Sequence, residues 1–135
     1  MGLNVGLAET VYRTVGNARN QIPDMRNFES QLTESGYQKL PSGLIIQWGR
    51  VHGETATLGA GKNDWYQSQR MFAFPIQFPS KCISLTNSVL NGGTSRQWVL
   101  IAITKIVDQK SAELLIQSLY EPSYPPVVTY MAIGY

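Results

Sequence analysis

The sequence predicts an all-β domain, either a sandwich or a barrel, and two observations support this class. From Tyr37 onward, short apolar runs alternate with clusters of Gly, Pro, Asn and Ser, the pattern of short strands joined by turns. The 12 glycines, 7 tyrosines and 3 tryptophans are typical of turn-rich β structure with aromatic surface. Charged residues make up only 15% of the chain, which indicates that partners cover part of the surface.

The 135 residues, 43% of them hydrophobic, suffice for one domain with a core. The chain divides near Gly36 into an N-terminal segment, residues 1–36, and the β domain, residues 37–135. Because the segment is short and its apolar residues are irregularly spaced, it cannot bury them against itself. Identical chains are the expected neighbours, and a disordered leader is the alternative.

Six strands are predicted in the β domain, at residues 43–51, 68–78, 81–89, 97–107, 111–119 and 127–135. The run 97–107 is apolar on both faces, which predicts the core strand of a packed sandwich or a strand under a subunit interface. The run 111–119 also fits helical spacing. Predicted strands on both sides of it favour β structure.

Consecutive antiparallel strands place alternate connections at the same end of the domain. The long connections therefore lie together, at 52–67, 90–96 and 120–126. Short turns around Pro79–Ser80 and 108–110 lie at the other end, unless an extra strand at 54–58 reverses the order. Since binding residues tend to lie on such loops, the long connections are the candidate site.

Aromatic and polar residues on the long connections offer flat apolar faces beside hydrogen-bonding groups, which is the chemistry that a sugar ring requires. The alternative is that these rings anchor loops or pack at a subunit interface. Arg96 can pair a phosphate or an acidic sugar, or remain a solvated turn charge. The candidate receptor-binding residues are Asn63, Asp64, Trp65, Tyr66, Arg96, Tyr120 and Tyr124.

Catalysis and metal binding find little support in the sequence. His52 is the only histidine, so three imidazoles can meet only on a three-fold axis, and any nucleophile triad must use it. A glycan-degrading enzyme needs two carboxylates, and a pair formed by Glu54 or Asp64 with Glu121 stays open. We expect no enzyme activity, no metal and no cofactor.

The charge and hydropathy patterns argue against nucleic acid and membrane as partners, and the single cysteine bears on where the chain folds. The net charge is +2 and the basic residues are scattered singly, so nucleic acid is not expected, and no apolar stretch predicts membrane insertion. Cys82 is the only cysteine, and the chain is expected to fold in the cytoplasm. We expect Cys82 to be a small buried residue on a strand face shared with Ser84 and Thr86.

Three ordered motifs carry a family resemblance: YQKLPSGLIIQWG at 37–49, FPIQFPSKCISLT at 74–86 and YMAIGY at 130–135. Together they resemble the C-terminal knob of the tail fibre proteins of phages and prophages. The leading VYRTVGNARNQIPDM, at 11–25, resembles the last shaft segment before such knobs. The longer, polar stretch between Gly53 and Met71 departs from the pattern, so the resemblance does not name a ligand.

The resemblance implies an antiparallel β-sandwich knob, similar in plan to H-type lectin domains, behind an extended N-terminal shaft segment. Such knobs form a parallel homotrimer at the distal end of the fibre in the virion, after folding in the host bacterial cytoplasm with a fibre assembly chaperone. The implied role is adhesion to lipopolysaccharide, another host-surface glycan or an outer-membrane protein. A structural fibre cap or chaperone-docking module, and a free lectin unrelated to phage, are the alternatives.

Overall fold

The structure, a computed structural model, describes residues 12–54, 57–58, 65–93, 100–121 and 123–135. A short 3-10 helix, Met25–Phe28, precedes the strands in this part of the chain. The strands are β1 Ser30–Gln31, β2 Gly36–Lys39, β3 Ile45–His52, β4 Thr57–Leu58, β5 Tyr66–Ala73, β6 Cys82–Asn91, β7 Leu100–Ile106, β8 Ser111–Ser118 and β9 Val127–Gly134. No helix among the described residues is long and apolar enough to cross a membrane.

The strands of the described residues form two antiparallel sheets. One contains β1-β2-β3-β9-β6 and the other β4-β5-β8-β7, in these spatial orders. The inner faces meet through their aromatic rings, since Phe72 of β5 lies 4.9 Å from Tyr130 of β9 between ring centroids. The predicted all-β class is therefore confirmed, and the architecture is a β-sandwich.

All six predicted strands occur, with ends that differ by up to five residues from those predicted. Residues 97–99, at the start of the predicted strand 97–107, lie outside the described residues. The ambiguous run at 111–119 is a strand, β8, as its neighbours indicated. The short strands β1 and β2 were not predicted, and β4 corresponds to the alternative strand at 54–58. These three are polar or only two residues long, and they pair with a neighbour over two to four residues.

The prediction that 97–107 is the core strand is wrong in its position. Its strand, β7, lies at the edge of the four-stranded sheet, whereas β8 lies inside that sheet with alternating buried residues. On the outer face of β7, Ile101 and Ile103 are 45% and 49% exposed. An apolar pattern cannot tell burial by the same chain from burial by another chain, so the subunit-interface alternative stays a prediction.

Aromatic side chains fill the core between the sheets. Phe74 and Phe78 are buried and lie 5.4 Å apart between ring centroids, so the two Phe-Pro motifs are scaffold positions. The Tyr130 ring lies directly over Gly49 of β3, where an added Cβ would come within 2.8 Å of the tyrosine hydroxyl. The core therefore requires a residue without a side chain at position 49.

Cys82 is buried, as predicted, but on a different face of its strand. A β-bulge between Cys82 and Ser84 shifts the register of β6 against β9. Cys82 therefore faces the core together with Leu85, and the predicted face shared with Ser84 and Thr86 is wrong. Burial raises the pKa of the Cys82 thiol.

The residues before β2 are attached to the five-stranded sheet by side-chain hydrogen bonds. The Trp48 indole Nε1 donates to the Thr33 carbonyl at 2.9 Å. The Glu29 carboxylate accepts from Lys39 Nζ at 2.7 Å and from Tyr37 Oη at 3.0 Å, and these bonds lower its pKa. The domain boundary near Gly36 stays a prediction. Strand β1 lies in the segment before it and pairs with β2.

Gln47 ties β3 to the connection between β5 and β6. Its side chain is fully buried, at 0% exposure. The amide Nε2 donates to the Ile76 carbonyl and the amide Oε1 accepts from the Ile76 N–H, both at 2.9 Å. One side chain thereby satisfies two main-chain groups of a segment that has no strand partner of its own.

Gln47→Leu is expected to lower the free energy of unfolding by about 2 kcal/mol, because both main-chain groups of Ile76 lose their partner. Urea denaturation at fixed chain concentration measures this. Gln69→Leu, at an exposed position of β5, is the matched control and should stay within about 0.5 kcal/mol of the parent. Equal losses in both variants would contradict the role assigned to Gln47.

Candidate functional site

Strand register brings the long connections to one end of the sandwich. In the five-stranded sheet, Val127 at the start of β9 pairs with both His52 and Asn91, where β3 and β6 end. In the four-stranded sheet, Ser118 at the end of β8 pairs with Tyr66 and Leu100, where β5 and β7 begin. All three long connections therefore leave from the same end, as the parity argument predicted.

The alternative strand at 54–58 is present as β4, but it does not change which end of the sandwich carries the long connections. Leu58 of β4 pairs with Tyr66, the first residue of β5, so β4 folds back at the same end. At the opposite end, Gln109 Nε2 donates to the carbonyls of Pro79 and Ser80 at 2.9 and 2.8 Å. The two predicted short turns are thus in contact with each other and away from the long connections.

Four of the seven predicted site residues fall within the described part of the chain. Trp65 and Tyr66 are half-buried where β5 begins, whereas Tyr120 and Tyr124 are 39% and 51% exposed on the connection between β8 and β9. The other three, Asn63, Asp64 and Arg96, lie outside the described residues, and their role stays a prediction.

Hydrogen bonds join the long connections to one another. The Asn91 amide Oδ1 accepts from the Gly93 N–H at 3.0 Å and from Tyr124 Oη at 3.1 Å. The Ser123 N–H donates to the Gly93 carbonyl at 2.6 Å, and the Gly53 N–H donates to the Pro126 carbonyl at 2.7 Å. These contacts fix the ring of Tyr124 and form one surface, here called the loop end.

The structure also contains a cavity that the sequence did not predict. A cavity of about 400 Å³ opens on the flank of the sandwich between β3 and β5, and its lining includes Arg50, His52, Arg70, Phe72 and Tyr130. The arginines stand singly in the sequence, so no motif marks them. Only the facing of β3 against β5 brings them to one cavity.

Charges around this flank cavity are only partly paired. Arg70 Nη1 donates to the His52 carbonyl at 2.7 Å, and Arg50 forms an ion pair with Glu34 at 2.5 Å. Among the described residues, no group of three or more His, Cys, Asp or Glu side chains could hold a metal ion. His52 itself is exposed at the end of β3.

The fold is similar to that of solved tail fibre structures. The chain is similar to the N-truncated R1-type pyocin tail fibre, with a TM-score of 0.66 and 20% identity over the whole of both chains. It is also similar to the C-terminal part of the P. aeruginosa R1 pyocin fibre, with a TM-score of 0.60 and 24% identity over 79% of this chain and 28% of that one. The β-sandwich fold is therefore shared with these pyocin fibres.

Residues 39–135 match the family described as "Putative tail fiber protein gp53-like, C-terminal". The chain belongs to this family, so the resemblance drawn from the three knob motifs is confirmed and its role is that of a phage tail fibre component. The resemblance of 11–25 to a shaft segment lies outside the matched residues and stays a prediction. A further relative is Uncharacterized protein MJ0347 of Methanocaldococcus jannaschii, 30% identical over 122 residues, which cover 89% of this chain and 76% of that protein. Its name states no function.

Asn91→Ala is expected to loosen the loop end, because one amide oxygen holds both Gly93 and Tyr124. We expect amide hydrogen exchange of Gly93 and Ser123 to accelerate about tenfold, which corresponds to roughly 1.4 kcal/mol. Tyr124→Phe removes one of the two bonds and should give an intermediate effect. Unchanged exchange in Asn91→Ala would show that the connections are held by other contacts.

Proposed function

We propose that the chain is the distal receptor-binding tip of a phage tail fibre, which adheres to a host-surface glycan such as lipopolysaccharide and catalyses no reaction. The carrying observation is the loop end, where Tyr120 and Tyr124 expose their rings on connections joined by hydrogen bonds. Membership of the tail fibre family supports the setting. Folding in the host cytoplasm with an assembly chaperone belongs to the same proposal.

The loop end has the chemistry that saccharide binding needs. A tyrosine presents an apolar face to the C–H side of a sugar ring, while its hydroxyl and nearby amides serve the sugar hydroxyls. Because the Tyr124 hydroxyl is already bonded to Asn91, its ring needs little further ordering when a ligand binds. Trp65, half-buried at the start of β5, lies at the same end.

Exposed apolar side chains support assembly as a homotrimer. In the N-terminal part of the described chain, Tyr12 is 69% exposed, Met25 79% and Leu32 75%, and large apolar groups this exposed gain free energy from burial between chains. Three copies would present three loop ends in parallel. Several weak sites then act together through avidity, which suits adhesion to a repetitive surface.

A structural fibre cap or chaperone-docking module is the second candidate function. Ile101 and Ile103 on the outer face of β7 favour it, since they offer an apolar surface to another protein at an edge of the sandwich. A cap needs no glycan contact at the loop end. Adsorption of loop-end variants therefore separates the two functions.

The double variant Tyr120→Ala/Tyr124→Ala is expected to lower adsorption to receptor-bearing cells by roughly tenfold or more, because two exposed rings are removed from each site. Adsorption of the labelled protein across a panel of bacterial strains measures this. Tyr135→Ala is the matched control, since Tyr135 is 45% exposed at the opposite end, beside Lys81. A double variant that adsorbs like the control would support the structural cap instead.

Tyr12→Ser/Val15→Ser is expected to weaken the trimer by roughly tenfold or more, because each exposed apolar side chain contributes about 1.5–3 kcal/mol when buried. Sedimentation equilibrium over a range of concentrations measures the association constant. Arg19→Ser, at an exposed polar position of the same segment, is the control. A parent chain that sediments as a monomer would contradict the trimer, and equal association of all three proteins would make the N-terminal segment dispensable.

A further inference from the structure

The flank cavity lies where both sheets have an open edge. β2 pairs with β3 only as far as Trp48, and β4 pairs with β5 only at Tyr66 and Gln67. Within the described residues, no strand therefore covers 49–52 of β3 or 68–73 of β5 on this side. The cavity between them, of about 400 Å³, is within the size range of small-molecule sites, roughly 300–1,000 Å³.

Tyr130 presents its hydroxyl to this cavity from a largely buried ring. The residue is only 6% exposed, and its ring is held by Phe72, 4.9 Å away between centroids, and by Gly49 beneath it. Its hydroxyl bonds to no other described residue, and no described polar side-chain atom is both buried and unpaired, so the hydroxyl is open to the cavity that Tyr130 lines. Burial raises the pKa of Tyr130 to about 12, so at neutral pH the hydroxyl is a hydrogen-bond donor.

Arg70 adds a positive charge to the cavity, and only part of its hydrogen-bonding capacity is used by described residues. It pairs with Leu114 in the register of β5 and β8, so it occupies a core-facing position of its strand, at the open flank. Among the described residues its guanidinium bonds only the His52 carbonyl, which leaves donors available, and no carboxylate pairs with it. Glu34 pairs with Arg50, so among the described lining residues Arg70 leaves an excess positive charge at the cavity.

We propose that the flank cavity is a second saccharide subsite, which binds a sugar carrying a carboxylate or a phosphate. Arg70 is matched to the oxyanion, because a guanidinium presents paired N–H donors to two oxygens. The Tyr130 hydroxyl donates to the same group or to a neighbouring sugar oxygen. Phe72 and Pro75 give the lining an apolar part for the ring itself. This subsite rests on the proposed adhesion to a glycan and adds a requirement for acidic groups.

Titration of the isotopically labelled chain with three sugars tests the subsite by NMR. Glucuronate supplies a carboxylate, glucose 6-phosphate supplies a phosphate, and glucose is the neutral match. We expect one or both acidic sugars to shift the amide signals of His52, Arg70 and Tyr130, and glucose to leave them unchanged. The acidic sugar that shifts these signals identifies the oxyanion. No shift with either acidic sugar, or equal shifts with glucose, would overturn the proposal.

Arg70→Gln is expected to weaken binding of the acidic sugar by at least tenfold, and Tyr130→Phe by a smaller factor. Lys105→Gln on β7 is the control, because it removes the same charge from a strand that does not line the cavity. Arg70→Lys keeps the charge but loses the planar fork, so it should restore only part of the affinity. Equal affinity of Arg70→Gln and Lys105→Gln would contradict a site at Arg70.

Cell adsorption separates this proposal from the function on which it rests. If the parent chain adsorbs to its host and Arg70→Gln adsorbs equally well, the subsite is wrong and glycan adhesion at the loop end stands. If acidic sugars bind at Arg70 but the parent chain adsorbs to no strain, the subsite stands and the adhesive function is wrong.

Discussion

The contact between Tyr130 and Gly49 is the constraint on which the rest of the sandwich depends. The ring crosses from β9 to the face of β3 at a position that tolerates no Cβ, and it continues to Phe72 in the opposite sheet. One side chain thereby sets how closely β3, β9 and β5 approach each other. Because the hydroxyl is left at the margin of the core, the same contact also forms a polar wall of the flank cavity.

Much of the fold was predictable from the sequence because six strands are long enough to show alternation or an apolar run. The errors have local causes. One extra residue at the bulge after Cys82 exchanges the two faces of the strand start, and alternation alone cannot reveal it. The edge position of β7 was missed because an exposed apolar face, as at Ile103, looks in sequence like a buried one.

The two candidate sites, the loop end and the flank cavity, differ in how well they could be predicted from the sequence. The loop end follows from counting strands, since antiparallel order alone decides which connections share an end. Its internal bonds, such as the one between Tyr124 and Asn91, join residues 33 positions apart and needed the structure. The flank cavity could not be predicted from the sequence, because Arg50 and Arg70 lie on different sheets. No spacing rule relates two strands that face each other without hydrogen bonds.

The shared acceptor at Asn91 has a consequence for how the loop end can vary in sequence. Its amide oxygen serves both its own turn and the tyrosine of another connection, so the two loops cannot vary independently. A substitution in one loop will change the effect of a substitution in the other, as expected for residues that share a hydrogen-bond network. Substitutions at Asn91 and Tyr124 are therefore expected to depend on each other, whereas the joined short turns at Gln109 lie at the opposite end of the sandwich.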